Sequence, residues 1–147
     1  MATASPGRAL LTLTSLSTLC SAYLADWNET HIHNPNWPPH AKFHDAQYIA
    51  MGALTGGIGL RVLLRRHGDA QTNLRQAAAL GSVPWLGMWA ALMFPGTAAT
   101  DPEFESTEPR VLGMHPQLVL ALVVQGALST AVTVEGARAR GGHRAPR

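Results

Sequence analysis

Four mainly apolar stretches alternate with polar ones along the chain of 147 residues. A helix over the first stretch, residues 9–25, would be about 25 Å long, close to the ~30 Å hydrocarbon core of a membrane. The pattern therefore predicts four transmembrane helices, at residues 9–26, 46–66, 74–95 and 115–135. They would form one domain over residues 1–136, followed by a basic disordered tail over residues 137–147.

Short polar links between the predicted helices indicate an all-α fold. We expect an integral membrane four-helix bundle of up-down-up-down topology, with a polar outer loop between helices 1 and 2. Gly52 and Gly56 have the spacing of small residues that let a second helix approach closely. We expect this face to pack against another helix, and it would also suit a homo-oligomer. A flexible glycine-rich helix is the alternative interpretation.

The first apolar stretch has a second interpretation. Arg8, the apolar run that follows it and the small residues near Cys20 also resemble a secretory signal peptide. Thr14, Thr18 and Ser21, however, recur at helical spacing. A polar face of this kind is useful only against other helices, so we expect a retained helix.

Composition and charge support the membrane assignment. Charged residues make up 14% of the sequence, against roughly 25% in soluble domains. Arg8, the Arg61–Arg75 link and the Arg138–Arg147 tail fall on one side of the predicted bundle. The positive-inside rule therefore places both termini of a multi-pass cell-membrane protein in the cytoplasm. The arginines do not cluster on one soluble face, which argues against nucleic-acid binding. The single cysteine excludes an internal disulfide and a CxxC metal motif.

The candidate chemistry lies in the most polar stretch, Asp26–Asp45, which reads DWNETHIHNPNWPPHAKFHD. It contains four of the seven histidines and three carboxylates. The up-down topology brings both ends of this stretch to the outer end of the bundle, together with His115. His40 and His44 are four residues apart, so they share a face if that turn is helical.

Three interpretations of the polar stretch compete. The first is a solvated interfacial loop that tryptophans anchor at the headgroups. The second is acid–base catalysis on a lipophilic molecule, with these candidate catalytic residues: His40, His44, Asp45, Asp26 and Glu29. The third is a zinc, iron or copper site, with these candidate ligands: His31, His33, His40, His44 and His115. We expect a small membrane-embedded enzyme; a non-enzymatic metal-binding or partner-binding membrane protein is the alternative.

A resemblance accompanies these residues. The block WNETHIHNPNWPPHAKFHDA resembles one in small four-span membrane proteins of fungi and bacteria that have no established function. In overall shape the predicted protein is similar to the DoxX-like proteins. It is more distantly similar to sterol isomerases of the emopamil-binding type and to membrane terpene cyclases, which use histidine and acidic side chains in a helical cavity. The resemblance implies an isoprenoid, sterol or polyketide-like substrate and assigns no site residue.

Overall fold

The computed structural model of the chain describes residues 5–144, and their side chains as far as residue 141. This part consists of four α-helices and their links, without a β-strand. The helices are α1 (Pro6–Asp26), α2 (Pro39–Leu63), α3 (Ala70–Ala91) and α4 (Pro116–Arg144). The prediction of an all-α protein with four helices is thereby confirmed.

Most of the helix bounds differ from the predicted ones, and the differences at the starts of α2 and α3 and at the end of α4 are each of four residues or more. Helix α2 begins at Pro39 rather than at residue 46, because two prolines start the helix and its first turns are polar. Helix α3 begins at Ala70, where the Asp69 side chain accepts a hydrogen bond from the Thr72 N–H at 2.7 Å. Helix α4 continues to Arg144. The segment predicted to be disordered from residue 137 is therefore helical that far, and residues 145–147 lie outside the described part.

Contacts at the two ends of the bundle establish its topology. At one end, the Arg8 guanidinium donates to the Leu63 carbonyl at 2.6 Å, and the Gly7 N–H donates to Glu135 Oε1 at 3.0 Å. The start of α1 therefore meets the ends of α2 and α4. At the other end, Gln117 of α4 reaches Asp26 of α1. Consecutive helices run in opposite directions, α1 packs against the other three, and α2 and α4 occupy opposite corners.

Small and hydroxyl-bearing residues let α1 pack closely in the centre of the bundle. A Cβ atom at Gly56 would lie 2.5 Å from the Leu19 nitrogen, so α2 approaches the α1 backbone directly. On the other side of α1, Trp85 Nε1 donates to Thr18 Oγ1 at 2.9 Å. Gly52 is buried on the same face as Gly56. The predicted close helix packing is therefore found within the chain. Within one copy of the chain, α1 covers Gly52 and Gly56, and the suggested homo-oligomer through this face stays a prediction.

The outer surface of the bundle carries many large apolar side chains. Twenty are exposed in the part of the chain that the structure describes. They include Leu13, Leu24, Leu54, Leu86 and Val123. Among the described residues, one helix, over Pro116–Gly141, is long and apolar enough by itself to cross a membrane, which is weak evidence for membrane association.

Candidate functional site

The polar stretch between α1 and α2 is held in place by the acidic loop between α3 and α4. Asn34 is 1% exposed and donates from Nδ2 to Glu103 Oε1 at 2.8 Å. Trp37 Nε1 donates to Asp101 Oδ2 at 3.1 Å. The acidic loop is therefore a structural partner of the polar stretch, and the two loops together cover the outer end of the bundle.

Hydrogen bonds fix the orientation of His31 within this cover. The Asn28 amide donates to the Ala25 carbonyl, so Asn28 Oδ1 faces the loop as an acceptor. Thr30 Oγ1 donates to this oxygen at 2.7 Å, and His31 Nδ1 lies 2.8 Å from Thr30 Oγ1 and 3.3 Å from Asn28 Oδ1. Because both neighbours act as acceptors toward the ring, we assign a hydrogen to Nδ1. The other ring nitrogen, Nε2, is left to exchange a proton.

Asp26 is the group that His31 Nε2 faces. Its carboxyl group, at the last residue of α1, is only 4% exposed. Its Oδ1 lies 3.6 Å from His31 Nε2 and 3.5 Å from Gln117 Nε2. Burial raises the pKa of Asp26 to about 6; Asp45 also raises it, while His31 and Gln117 oppose the rise. A carboxyl group with this pKa gains and loses its proton near neutral pH.

Asp45 adds a second carboxyl group to this end of the bundle. It lies in the second turn of α2, and its Oδ2 is buried without a hydrogen-bond partner among the described residues. Burial raises the pKa of Asp45, and the nearby His31 opposes the rise. An unpartnered buried acceptor is costly, so this oxygen is available to a bound molecule.

These polar groups form one end of a cavity of about 410 Å³, which we call the lateral cavity. Asp26, His31, Asp45, Tyr48 and Gln117 line its polar end. The rest of its wall comes from α2 and α3 and is mostly apolar: Met51, Gly52, Thr55, Val83, Pro84, Gly87, Met88 and Ala91. The two helices leave it open sideways, since the Met51 and Val83 side chains are 50% and 47% exposed. The cavity therefore joins an ionisable pair to an apolar, laterally open groove.

A second cavity, of about 250 Å³, lies among the loops and is called the outer cavity here. It shares four wall residues with the lateral cavity: His31, Met88, Ala91 and Gln117. Its other polar lining includes Thr30, Trp37, Thr100, Asp101, Glu108 and His115. The two cavities therefore adjoin at the His31 and Gln117 side chains.

His40 and His44 form a separate exposed pair at the start of α2. Their Nε2 atoms are 3.1 Å apart, as expected for histidines on one helical face. Phe43 packs against both rings. Neither histidine lines the lateral or the outer cavity. Of the predicted catalytic residues, the structure brings Asp26 and Asp45 to one cavity and leaves His40, His44 and the exposed Glu29 outside it.

The five predicted metal ligands do not converge on one point. His31 faces Asp26, His33 contacts the Trp27 ring edge-on at 5.3 Å, and His115 Nε2 lies 3.3 Å from Glu108 Oε2. Among the side chains that the structure describes, residues 5–141, no three histidine, cysteine or acidic groups are placed so that they could hold a metal ion. A metal site with three or more ligands is therefore not formed by these side chains as they stand.

Three contributors to the site were not predicted from the sequence as part of the acid–base group. Thr30 orients His31, Gln117 contacts Asp26, and Tyr48 lines the lateral cavity. Gln117 could have been found from topology, because it opens helix α4 at the end where α1 finishes. Nothing in the pattern of polar residues distinguishes Thr30 from its neighbours, because its role depends on the turn that the loop adopts.

Comparison with known proteins identifies a family whose function is unknown. The profile of a family of unknown function (DUF6640) matches residues 10–144. No curated protein and no solved structure matches the chain. The suggested similarities to DoxX-like proteins, sterol isomerases and terpene cyclases are therefore not confirmed.

Proposed function

Because the chain belongs to the DUF6640 family, whose function is unknown, we propose its function from the site itself. We propose a multi-pass membrane enzyme in which Asp26 and His31 exchange protons with a lipophilic molecule bound in the lateral cavity. The observation that carries this proposal is the buried Asp26 carboxyl group, paired with His31 Nε2 at 3.6 Å at the polar end of an apolar cavity.

The membrane location rests on the surface of the bundle. A soluble monomer rarely exposes large contiguous apolar patches, and here leucines from three different helices are exposed: Leu13 and Leu24 of α1, Leu54 of α2, and Leu86 of α3. Hydrocarbon around the apolar stretches would cover these side chains. The arginines at the opposite end of the bundle from Asp26 support an orientation with the site on the outer side and both termini in the cytoplasm.

The pair can supply both an acid and a base. With Nδ1 holding a hydrogen, His31 Nε2 either accepts a proton or returns one, and the buried Asp26 carboxyl group is the adjacent partner. A carboxyl group with a pKa of about 6 is present in both protonation states near neutral pH. Removal of a proton from one carbon and delivery to another is the step in double-bond isomerisation. The site therefore suits isomerisation of a double bond in a lipophilic molecule.

Proton exchange can be measured without knowing the product. Lipophilic molecules are first extracted from protein that was purified in neutral detergent. Mass spectrometry then identifies any lipophile that copurified. That molecule, or a panel of isoprenoids and sterols, is then incubated with the protein in deuterium oxide. Each enzymatic exchange replaces a C–H bond with a C–D bond and releases the proton to the solvent. Incorporation of deuterium into recovered substrate is the expected result.

The matched variants are His31→Gln and His33→Gln. We expect His31→Gln to lower the rate of deuterium incorporation on the order of a hundredfold, the usual effect of removing a general base. His33 is exposed and lies outside both cavities, so His33→Gln should change the rate little. Equal rates in the two variants, with both folded by thermal melt, would refute the catalytic role of His31.

A second candidate function, metal binding, is favoured by the exposed His40–His44 pair. Two imidazoles with Nε2 atoms 3.1 Å apart need only small rotations to ligate one copper or zinc ion. Titration of the purified protein with Cu²⁺ should show one site that is lost in His40→Ala and kept in His67→Ala. Binding that survives His40→Ala would exclude this pair as the site.

A further inference from the structure

The outer cavity extends the proposed function to the chemical class of the substrate. We infer that the substrate is an amphiphile with a cationic head group, an amine or quaternary ammonium, held in the outer cavity. This inference rests on the proposed function, because the apolar part of the same molecule would occupy the lateral cavity. The two cavities adjoin at His31 and Gln117. A molecule that spans both therefore passes beside the Asp26–His31 pair.

The charges around the outer cavity favour a cation. Two carboxylate residues, Asp101 and Glu108, line it, and no lysine or arginine is among its described lining residues. A phosphate or carboxylate head group would face both carboxylates without a compensating cation. Desolvation would make that unfavourable. The same two groups attract an ammonium.

The two histidines that line the outer cavity can make their contacts as neutral rings, without bringing a positive charge to Glu108. His115 Nδ1 accepts the Gln117 N–H at 3.3 Å, so in a neutral ring the hydrogen is on Nε2. Nε2 lies 3.3 Å from Glu108 Oε2 and can donate to it as a neutral group. The other histidine of the cavity, His31, directs Nε2 toward Asp26. Neither contact requires a protonated ring, so the histidines need not place a positive charge beside Glu108.

Aromatic rings and a free hydroxyl complete the lining. Trp37 and Phe104 both line the outer cavity. The hydrogen bond from Trp37 to Asp101 and an edge contact with His31 at 5.4 Å fix the indole ring. Aromatic faces bind alkylammonium groups through cation–π attraction. Thr100 Oγ1 is buried there without a hydrogen-bond partner in the described residues, so it is available to a head group or its bound water.

The size of the outer cavity also fits a small head group. Its volume of about 250 Å³ is below the roughly 300–1,000 Å³ of sites that enclose a whole drug-sized ligand. The lateral cavity, at about 410 Å³, offers the larger and mostly apolar space. The distribution of polarity and volume thus matches a compact polar head joined to a longer apolar part.

Three probes of equal chain length test this inference on the full-length protein in nanodiscs of zwitterionic lipid. They are dodecyltrimethylammonium, dodecanol and dodecanoate, and binding is measured by calorimetry below their micellar concentrations. We expect the cation to bind at least about tenfold more tightly than dodecanol, a typical gain from a desolvated cation–π and charge site. Dodecanoate should bind more weakly than dodecanol. If the wild-type protein binds the cation and dodecanol with equal affinity, the inference is refuted without any variant.

Variants locate the head group. Glu108→Gln should reduce the affinity for dodecyltrimethylammonium to about that for dodecanol, while dodecanol binding stays unchanged. The control is Glu105→Gln in the same acidic loop, because Glu105 is exposed and does not line the cavity. Trp37→Leu provides a second variant should Glu108→Gln fail to fold. Unchanged preference for the cation in both folded variants would refute the outer cavity as its site.

One further variant separates this inference from the proposed function. Gly87 lines the lateral cavity, and a Cβ atom there would meet nothing within 4 Å. We therefore expect Gly87→Leu to obstruct the cavity, and a thermal melt checks that the variant is folded. Gly87→Leu should abolish the binding of both dodecanol and the cation. If Gly87→Leu abolishes binding but the probes show no charge preference, only the head-group inference fails. If Gly87→Leu leaves all binding intact, the lateral cavity is not the binding site and both proposals fail.

Discussion

Burial, rather than a charged partner, is the largest influence on the pKa of Asp26. Its pKa rises from the ordinary 3.8 to about 6 although His31 lies beside it. The folded protein therefore binds more protons at Asp26 than the unfolded chain does between these two values. By linkage, this group lowers the free energy of unfolding as pH rises through that window, and the loss is complete above it.

The first prediction concerns this pH dependence. The melting temperature of the detergent-solubilised protein should fall between about pH 4.5 and about pH 7, and Asp26→Asn should flatten that fall because it removes the titrating group. Circular dichroism melts at several pH values measure it. An Asp26→Asn variant with the wild-type slope would place the titration on another residue.

The control for this prediction is Asp69→Asn. Asp69 is an exposed capping residue of α3, and hydrogen bonds from Thr72 lower its pKa. Its contribution to stability is present above the unfolded pKa and is lost only as pH falls through the lower folded value. Asp69→Asn should therefore lower the melting temperature by removing the cap, without altering the slope between about pH 4.5 and about pH 7.

A second prediction at the residue scale concerns the orientation of His31. Thr30→Val removes the hydroxyl that contacts Nδ1, while Thr30→Ser retains it. We expect Thr30→Val to slow deuterium incorporation about tenfold and to shift the pH profile of the rate, because the ring loses the acceptor that fixes its tautomer. Thr30→Ser should restore both. A slower rate with an unchanged pH profile would indicate general loss of structure instead.

The helices themselves were largely predictable from sequence, and their interfaces partly so. Four apolar stretches gave four helices in the predicted order. The start of α2 lies before its apolar stretch, because Pro38 and Pro39 begin a polar first turn that apolar residues do not mark. The early start of α2 also bears on the predicted catalytic histidines, because it puts His40 and His44 in the first turns of the helix. His40 and His44 do share a helical face, but spacing along one helix cannot tell whether that face points toward the bundle or away from it.

At Gly56 the backbones of α1 and α2 approach closely, and this contact gives the third prediction. Its Cβ atom would lie 2.5 Å from the Leu19 nitrogen and 2.8 Å from the Ser15 carbonyl oxygen, both rigid backbone atoms. Gly56→Ala should therefore separate the helices and lower the free energy of unfolding by about 1–3 kcal/mol, the usual cost of overpacking. Denaturant titration in mixed micelles measures the change.

The neighbouring glycine is the matched control. A Cβ atom at Gly57 would meet only the Leu19 Cδ1 atom at 3.7 Å, an ordinary contact. Gly57→Ala should be neutral or stabilising by up to about 1 kcal/mol, because alanine is the better helix former. Equal destabilisation in both variants would mean that glycine flexibility, rather than close approach, sets the stability of α2.

At the scale of the whole molecule, the distribution of polar and apolar surface supports the proposed membrane orientation. Arg8 and Leu63 meet at one end of the bundle, and the cover of two loops lies at the other. Apolar side chains occupy the outside between these ends. In the proposed orientation Asp26 lies at the outer end, so a substrate dissolved in the outer leaflet would reach the lateral cavity through the gap between α2 and α3, without crossing an aqueous phase.

This orientation gives the last prediction. Single cysteines at Asn36 and Glu105, both exposed in the loop cover, should react with an impermeant thiol reagent added to intact cells, in a Cys20→Ser background. A cysteine at Arg66, exposed at the opposite end between α2 and α3, should react only after the cells are opened. Labelling at Arg66 with no labelling at the other two would reverse the orientation and place the Asp26–His31 site on the cytoplasmic side. Labelling of all three only after lysis, with the protein recovered in the soluble fraction, would show that the bundle does not cross a membrane, because the apolar surface would then have to be covered by protein.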